Sequence, residues 1–174
     1  MTPRPEIDVV SESPLWDGLP DAAALAGRAA LAAVAGTGVP VMDGAEISIL
    51  LADDATLREL NRTWRDRDRP TNVLSWPAAE REALATSPVC GDIAISWETL
   101  AREAGEEGKS VADHFTHLVV HGVLHLLGYD HETDEEAEEM EGLEVQILAG
   151  LGVADPYATV AGPGDDPSRR AERA

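Results

Sequence analysis

Apolar and polar positions along this chain alternate with two different periods, and the changes of period mark its elements. Ile7 to Val10 reads as a short strand. Pro20 and Asp21 open a helix that runs through a series of alanines to Gly36, placed as its C′ residue. Glu46 to Leu51 alternates and then turns fully apolar, the mark of a strand with at least one buried face. Asp53 or Asp54 can cap a following helix through Leu57 and Leu60, and Pro70 and Thr71 punctuate that segment. Val73 to Trp76 is another strand, stopped by Pro77. Ala78 to Val89 reads as loop with a helical turn, Gly91 to Ser96 as a third good strand, and Trp97 to Gly105 as a helix.

The strongest helix begins at Ser110, where Ser110 and Asp113 form a short-acid version of the capping box. Apolar residues follow on nearly every face through Leu127, and Gly128 ends the run. A helix apolar all round is a buried helix, so its histidines sit in an enclosed setting. A second, acidic helix is expected from Thr133 to Leu148, with Met140, Leu143, Ile147 and Leu148 as its buried stripe. Beyond Asp155 the chain is rich in Pro, Gly and charge. The expectation is one domain over residues 1–155 and a disordered tail over 156–174. Strands interspersed with helices predict an α+β fold: a small mixed sheet packed with helices around a central buried helix that carries four of the five histidines.

Composition narrows the setting. A length of 174 residues with 44% hydrophobic content suits one self-sufficient core. Cys90 is the single cysteine, so no intramolecular disulfide can form. The N-terminal residues contain no apolar h-region, and Ala22 to Ala35 is too short and weakly apolar to span a bilayer. A reducing, cytoplasmic location is the default expectation. The formal net charge of −20 (33 acidic against 13 basic side chains) opposes a general affinity for polyanions. The distribution qualifies this. Acid is concentrated from Glu132 to Glu144, whereas Arg58, Arg62, Arg65, Arg67 and Arg69 crowd one segment that can form a local cationic patch.

The chemistry lies in the run from His117 to His131. Residues four apart share a helix face about one turn apart, so His121 and His125 can bring two imidazoles to one ion. Gly128 lets the chain turn, and His131 can then approach as a third nitrogen. Three imidazoles and a water make the open arrangement of catalytic zinc, whereas structural zinc favours four ligands rich in cysteine. A single buried histidine is more often a hydrogen-bonded core residue. Three at this spacing, in a chain with five histidines, favour a metal. His117 stands one turn earlier as an alternative ligand, a support for a ligand or a substrate contact, and His114 as structural or solvent-facing. Asp130 either orients an imidazole or caps the turn. In zinc peptidases a glutamate follows the first histidine as general base; here that position is Gly122, which weakens a peptidase reading.

These residues resemble the YbeY family, described as zinc-dependent single-strand endoribonucleases and ribosomal-RNA maturation factors. His121 to His131 matches the family's H-G-x-L-H-L-x-G-Y-D-H signature. Leu60 to Pro77 looks like its L-N-x-x-(Y/W)-R-x-x-D-x-P-T-(D/N)-V-L-S-F-P segment, with Trp76 where Phe is usual, and Gly91 to Ile95 is a third block. The resemblance spans roughly residues 45–150. It implies ligands at His121, His125 and His131 for one zinc ion, and a functional arginine at Arg65. A guanidinium suits that role, because phosphodiester cleavage builds negative charge on oxygens that it can clamp. Arg62, Arg67 and Arg69 can track an RNA backbone or simply be solvated. Asn72 and Ser75 have turn and strand roles or touch substrate, and Asp92 caps a turn or supports the site. The implied partners are single-stranded RNA and rRNA. Ribosomal proteins are further candidates, since the acidic helix suits a basic partner. Two rivals stand beside the nuclease: a metallohydrolase of peptides or amides, and a non-catalytic ribosome-assembly factor whose metal only stabilises the fold.

Overall fold

The computed structural model describes residues 4–65 and 71–158. Its elements are β1 (Glu6–Ser11), α1 (Ala22–Thr37), β2 (Glu46–Ala52), α2 (Asp54–Arg65), β3 (Val73–Pro77), β4 (Val89–Ser96), α3 (Trp97–Glu107), α4 (Val111–Leu126) and α5 (Asp134–Gly150). Short 3-10 turns at Pro14–Gly18 and Arg81–Thr86 complete the described residues. The four strands form one mixed sheet in the order β1-β2-β4-β3, with β3 antiparallel to β4 and the other pairs parallel. The expected α+β architecture is therefore present.

Register assigns the two faces. Ile49 pairs with Ile93, and Ile93 with Ser75, while Leu51, Ile95 and Val73 form the next row. With a side-chain period of two, these residues point to one face, and Leu50, Ala94 and Leu74 to the other. The first face carries the main core, closed by α1 and α4. Against the second face α2 packs a smaller cluster of Ala52, Leu57, Leu74 and Ala94.

Helix α4 occupies the middle. It touches α1, α3, α5, β3 and β4, and its side chains from His114 to Thr116 and from Leu118 to Leu124 are all buried. Two features let neighbours come this close. Ala26, Ala29, Ala30 and Ala33 lie on one face of α1 and are fully buried, so α1 presents little side-chain bulk. At Gly122, an added Cβ would meet Ile93 of β4 at 3.1 Å. Gly122, the residue after His121, therefore faces the sheet, where a larger side chain would crowd Ile93.

Capping follows the sequence with two adjustments. Asp53 caps α2 by accepting from the backbone N–H of Thr56 at 2.9 Å, which holds its carboxyl below the usual range. Ser110 caps α4 and Thr133 caps α5, each accepting from the third residue onward. Helix α1 continues past Gly36, the expected terminus, to a left-handed cap at Gly38 (φ 69°). Gly36 instead admits Ile147 of α5: a Cβ there would lie 2.7 Å from its Cγ1. Helix α3 likewise runs two residues beyond Gly105, to a left-handed Gly108. Of the expected tail, residues 159–174 lie outside the described residues. Pro156 is buried and Tyr157 lies against His117.

Gly91 is the tightest point of the sheet. Its φ is 149°, and a Cβ would approach the Trp76 carbonyl oxygen at 2.3 Å and Leu126 Cδ2 at 2.7 Å. Backbone strain and overpacking act together there, so Gly91→Ala is expected to lower unfolding stability by about 2–4 kcal/mol. Urea denaturation monitored by tryptophan fluorescence tests this; a loss under 1 kcal/mol would contradict the packing described.

Candidate metal centre

Helical spacing places His121 and His125 one above the other on α4, with their Nε2 atoms 3.1 Å apart. Leu127 caps the helix, and the chain leaves through Gly128 at φ 94°, a left-handed conformation suited to glycine. Arg81 secures this exit: its Nε donates to the Leu127 carbonyl at 3.0 Å, and its guanidinium lies 4.3 Å above the Tyr129 ring. Asp130 accepts from the backbone N–H of His131 at 2.8 Å, which is the turn-capping arrangement. His131 is thereby returned to the other two histidines. One ring nitrogen from each of the three lies within 4.8 Å of the others.

These donors fit a single ion. Two nitrogens each about 2.0–2.1 Å from a tetrahedral centre stand about 3.4 Å apart, close to the His121–His125 separation. Their protonation suits the task as well. Burial, reinforced by the neighbouring His121 and His131, pushes the His125 pKa down to about 4, so its ring is neutral at pH 7. The Nδ1 of His121 faces the Glu144 carboxylate at 2.5 Å, leaving Nε2 for the convergent site. His121, His125 and His131 can together hold a metal ion.

The remaining expected residues separate clearly. Arg65, at the end of α2, lines the same cleft of about 650 Å³ as the three histidines and donates from Nη2 to the Ser75 carbonyl at 2.5 Å. Arg62 points elsewhere, exposed and paired with Glu59. Arg67 and Arg69 lie outside the described residues. Asn72 accepts from the Val73 N–H and donates to Glu103, a turn role. Asp92 lies on the sheet face turned away from the cleft. His114 is buried rather than solvent-facing, with Nε2 2.9 Å from Glu103. Burial would raise the Glu103 carboxyl, but bonds from His114 and Asn72 outweigh it and hold the pKa low. His117 turns away from the other three and places Nε2 3.2 Å from Glu144.

Glu144 and Tyr157 are the residues that sequence reasoning passed over. Glu144 is fully buried, whereas Leu143, assigned to the apolar stripe in its place, is half-buried. The signal was available: Met140, Glu144, Ile147 and Leu148 follow i, i+4, i+7, i+8, so the acid sits on the buried face. Burial alone would raise the Glu144 carboxyl, yet the bonds from His117 and His121 more than offset it and hold it well below the carboxylate range. Tyr157 directs its hydroxyl at Glu144, and burial and that carboxylate push its pKa upward.

A protein-family model described as endoribonuclease YbeY matches residues 25–152. A protein named endoribonuclease YbeY from Azorhizobium caulinodans is 58% identical over 157 residues, covering 90% of this chain and 98% of that protein. Proteins of the same name from Paramagnetospirillum magneticum and Bradyrhizobium are 53% and 51% identical, each over 90% of this chain and covering 98% and 95% of their own lengths. The solution structure of TM1509 from Thermotoga maritima aligns over 92% of this chain and 100% of that one, with 22% identity and a TM-score of 0.48. At this level of identity, sustained across nearly the full length of its relatives, the chain belongs to the YbeY family.

Proposed function

We propose that this protein is a zinc-dependent single-strand endoribonuclease of the cytoplasm that acts in rRNA maturation and ribosome quality control. The observation that carries the reading is one cleft lined by His121, His125, His131 and Arg65. The names of its relatives supply the substrate class. Among the described residues no helix is long and apolar enough to cross a membrane.

Each residue has a definable part. His121, His125 and His131 would hold the ion through neutral nitrogens, and three imidazoles leave a position open to solvent and substrate. When bound, the ion supplies Lewis acidity, polarising a phosphoryl oxygen and lowering the pKa of a water it contacts. Arg65 offers a planar fork of five N–H donors, one of them engaged by Ser75, so the others can clamp a phosphate. Arg62, Arg67 and Arg69 add positive charge to the same stretch of sequence and would help to hold an RNA backbone, Arg62 after exchanging its partner Glu59 for a phosphate. The exposed acid of α5 suits basic ribosomal proteins. A peptidase would need a carboxylate base beside the first histidine, and Gly122 packs that position against Ile93.

Zinc-loaded protein is expected to cut single-stranded RNA and to leave casein intact. Chelation and His121→Ala should each abolish cutting, and cleavage that survives both would exclude this centre. Arg65→Ala should lower kcat/KM for RNA by about 10²–10³-fold with zinc content unchanged. Equal loss of bound metal would instead make Arg65 part of the scaffold. A third outcome concerns pH. His125 is neutral in the fold down to about pH 4, whereas in the unfolded chain it protonates near 6.5. Between those values the unfolded state binds more protons, so metal-free protein should lose stability as pH falls from about 6.5 to about 4. Thermal melts of metal-free wild type and His125→Gln should converge in slope only if this histidine contributes nothing.

A further inference from the structure

Glu144 is fully buried, and both of its carboxylate oxygens are engaged. Oε1 lies 2.5 Å from His121 Nδ1, while Oε2 lies 3.2 Å from His117 Nε2 and accepts from the Tyr157 hydroxyl. Tyr157 comes from the segment after α5. Its backbone N–H is held by Asp155 Oδ1 at 2.8 Å, and its ring stands edge-on to His117 at 5.7 Å. Helix α4, through His117 and His121, and the C-terminal segment, through Tyr157, thus converge on one carboxylate of α5 on the side of His121 away from the cleft.

Packing alone does not account for an acid at this position. A leucine would complete the stripe of Met140, Ile147 and Leu148, but it would leave His121 Nδ1, His117 Nε2 and the Tyr157 hydroxyl without their shared acceptor. What the carboxylate adds is direction. It accepts only, so the His121 proton must sit on Nδ1, the lone pair on Nε2, and the ring cannot turn away from the cleft.

Resting on the metal-dependent reading above, we propose that Glu144 is a positioning residue for His121, and that Tyr157 clamps it from the C-terminal segment. The carboxylate selects the His121 tautomer whose Nε2 faces His125 and His131, and His117 serves as its second donor rather than as a ligand. The C-terminal segment is then a working part of the centre.

The test uses full-length protein with the variants Glu144→Gln and Tyr157→Phe, both close in shape to the originals. Zinc affinity, measured by competition with a chromophoric chelator, should fall about 10–100-fold in Glu144→Gln. Tyr157→Phe should fall by a smaller factor, with its fold intact by circular dichroism. Nitrogen-15 shifts of the metal-free protein should show His121 protonated at Nδ1 in wild type and a tautomer mixture in Glu144→Gln. Unchanged affinity and an unchanged tautomer in both variants would reduce Glu144 and Tyr157 to scaffold and overturn the proposal. If Glu144→Gln does not fold, Tyr157→Phe alone decides on the same two readouts. Failure of wild-type protein to bind zinc would instead sink the metal reading, while the tautomer comparison still decides whether Glu144 orients His121.

Discussion

Most of helix α4 is buried, and away from the cleft water cannot complete the hydrogen bonding of polar groups placed on it. His114 and His121 are nonetheless buried in it, so partners must come from neighbouring elements. Glu103 of α3 meets His114, and Glu144 of α5 meets His121 and His117. The positions of α3 and α5 are therefore set by polar demand as well as by apolar burial. Small residues close the other sides of the helix: alanines on α1 and Gly122 on α4 bring α1 and the sheet up against it.

The two sheet faces divide the chemistry. The face carrying Ile93, Ile95 and Ser75 supports α4 and, at its β3 edge, lines the cleft; the opposite face holds α2 and its small apolar cluster. Helix α2 lies over that second face, yet its last residue, Arg65, reaches the cleft through the Ser75 carbonyl. A cation is thus delivered to the histidines from an element whose packing lies on the other side of the sheet. The placement also bears on the net charge of −20, because the local field of a cleft can differ in sign from the sum over a molecule.

Much of this could be read from the chain because the physics involved is local. The 3.6-residue period placed His121 and His125 on one face, Gly128 marked the turn that returns His131, and continuous apolarity identified α4 as the buried centre. Alternation in Glu46 to Leu51 located one central strand, Gly91 to Ser96 read as the other, and side-chain chemistry located the caps of α2 and α4. Positions where a long-range contact overrode a local signal were read less well. Gly36 looked like a helix stop, whereas its missing side chain makes room for Ile147. Asp92 looked available to the site, but strand register turns it to the far face.

By itself, then, the sequence determined which histidines could share an ion, which helix had to be buried, and that no carboxylate follows His121 in the chain. Tertiary structure alone decided that Arg65 joins them, that His117 turns to Glu144, and that Tyr157 closes the group. The physical reason is separation along the chain. Period and capping act within one or two turns, whereas the bonds from Glu144 to His121 and from Tyr157 to His117 span 23 and 40 residues and exist only once the helices have packed.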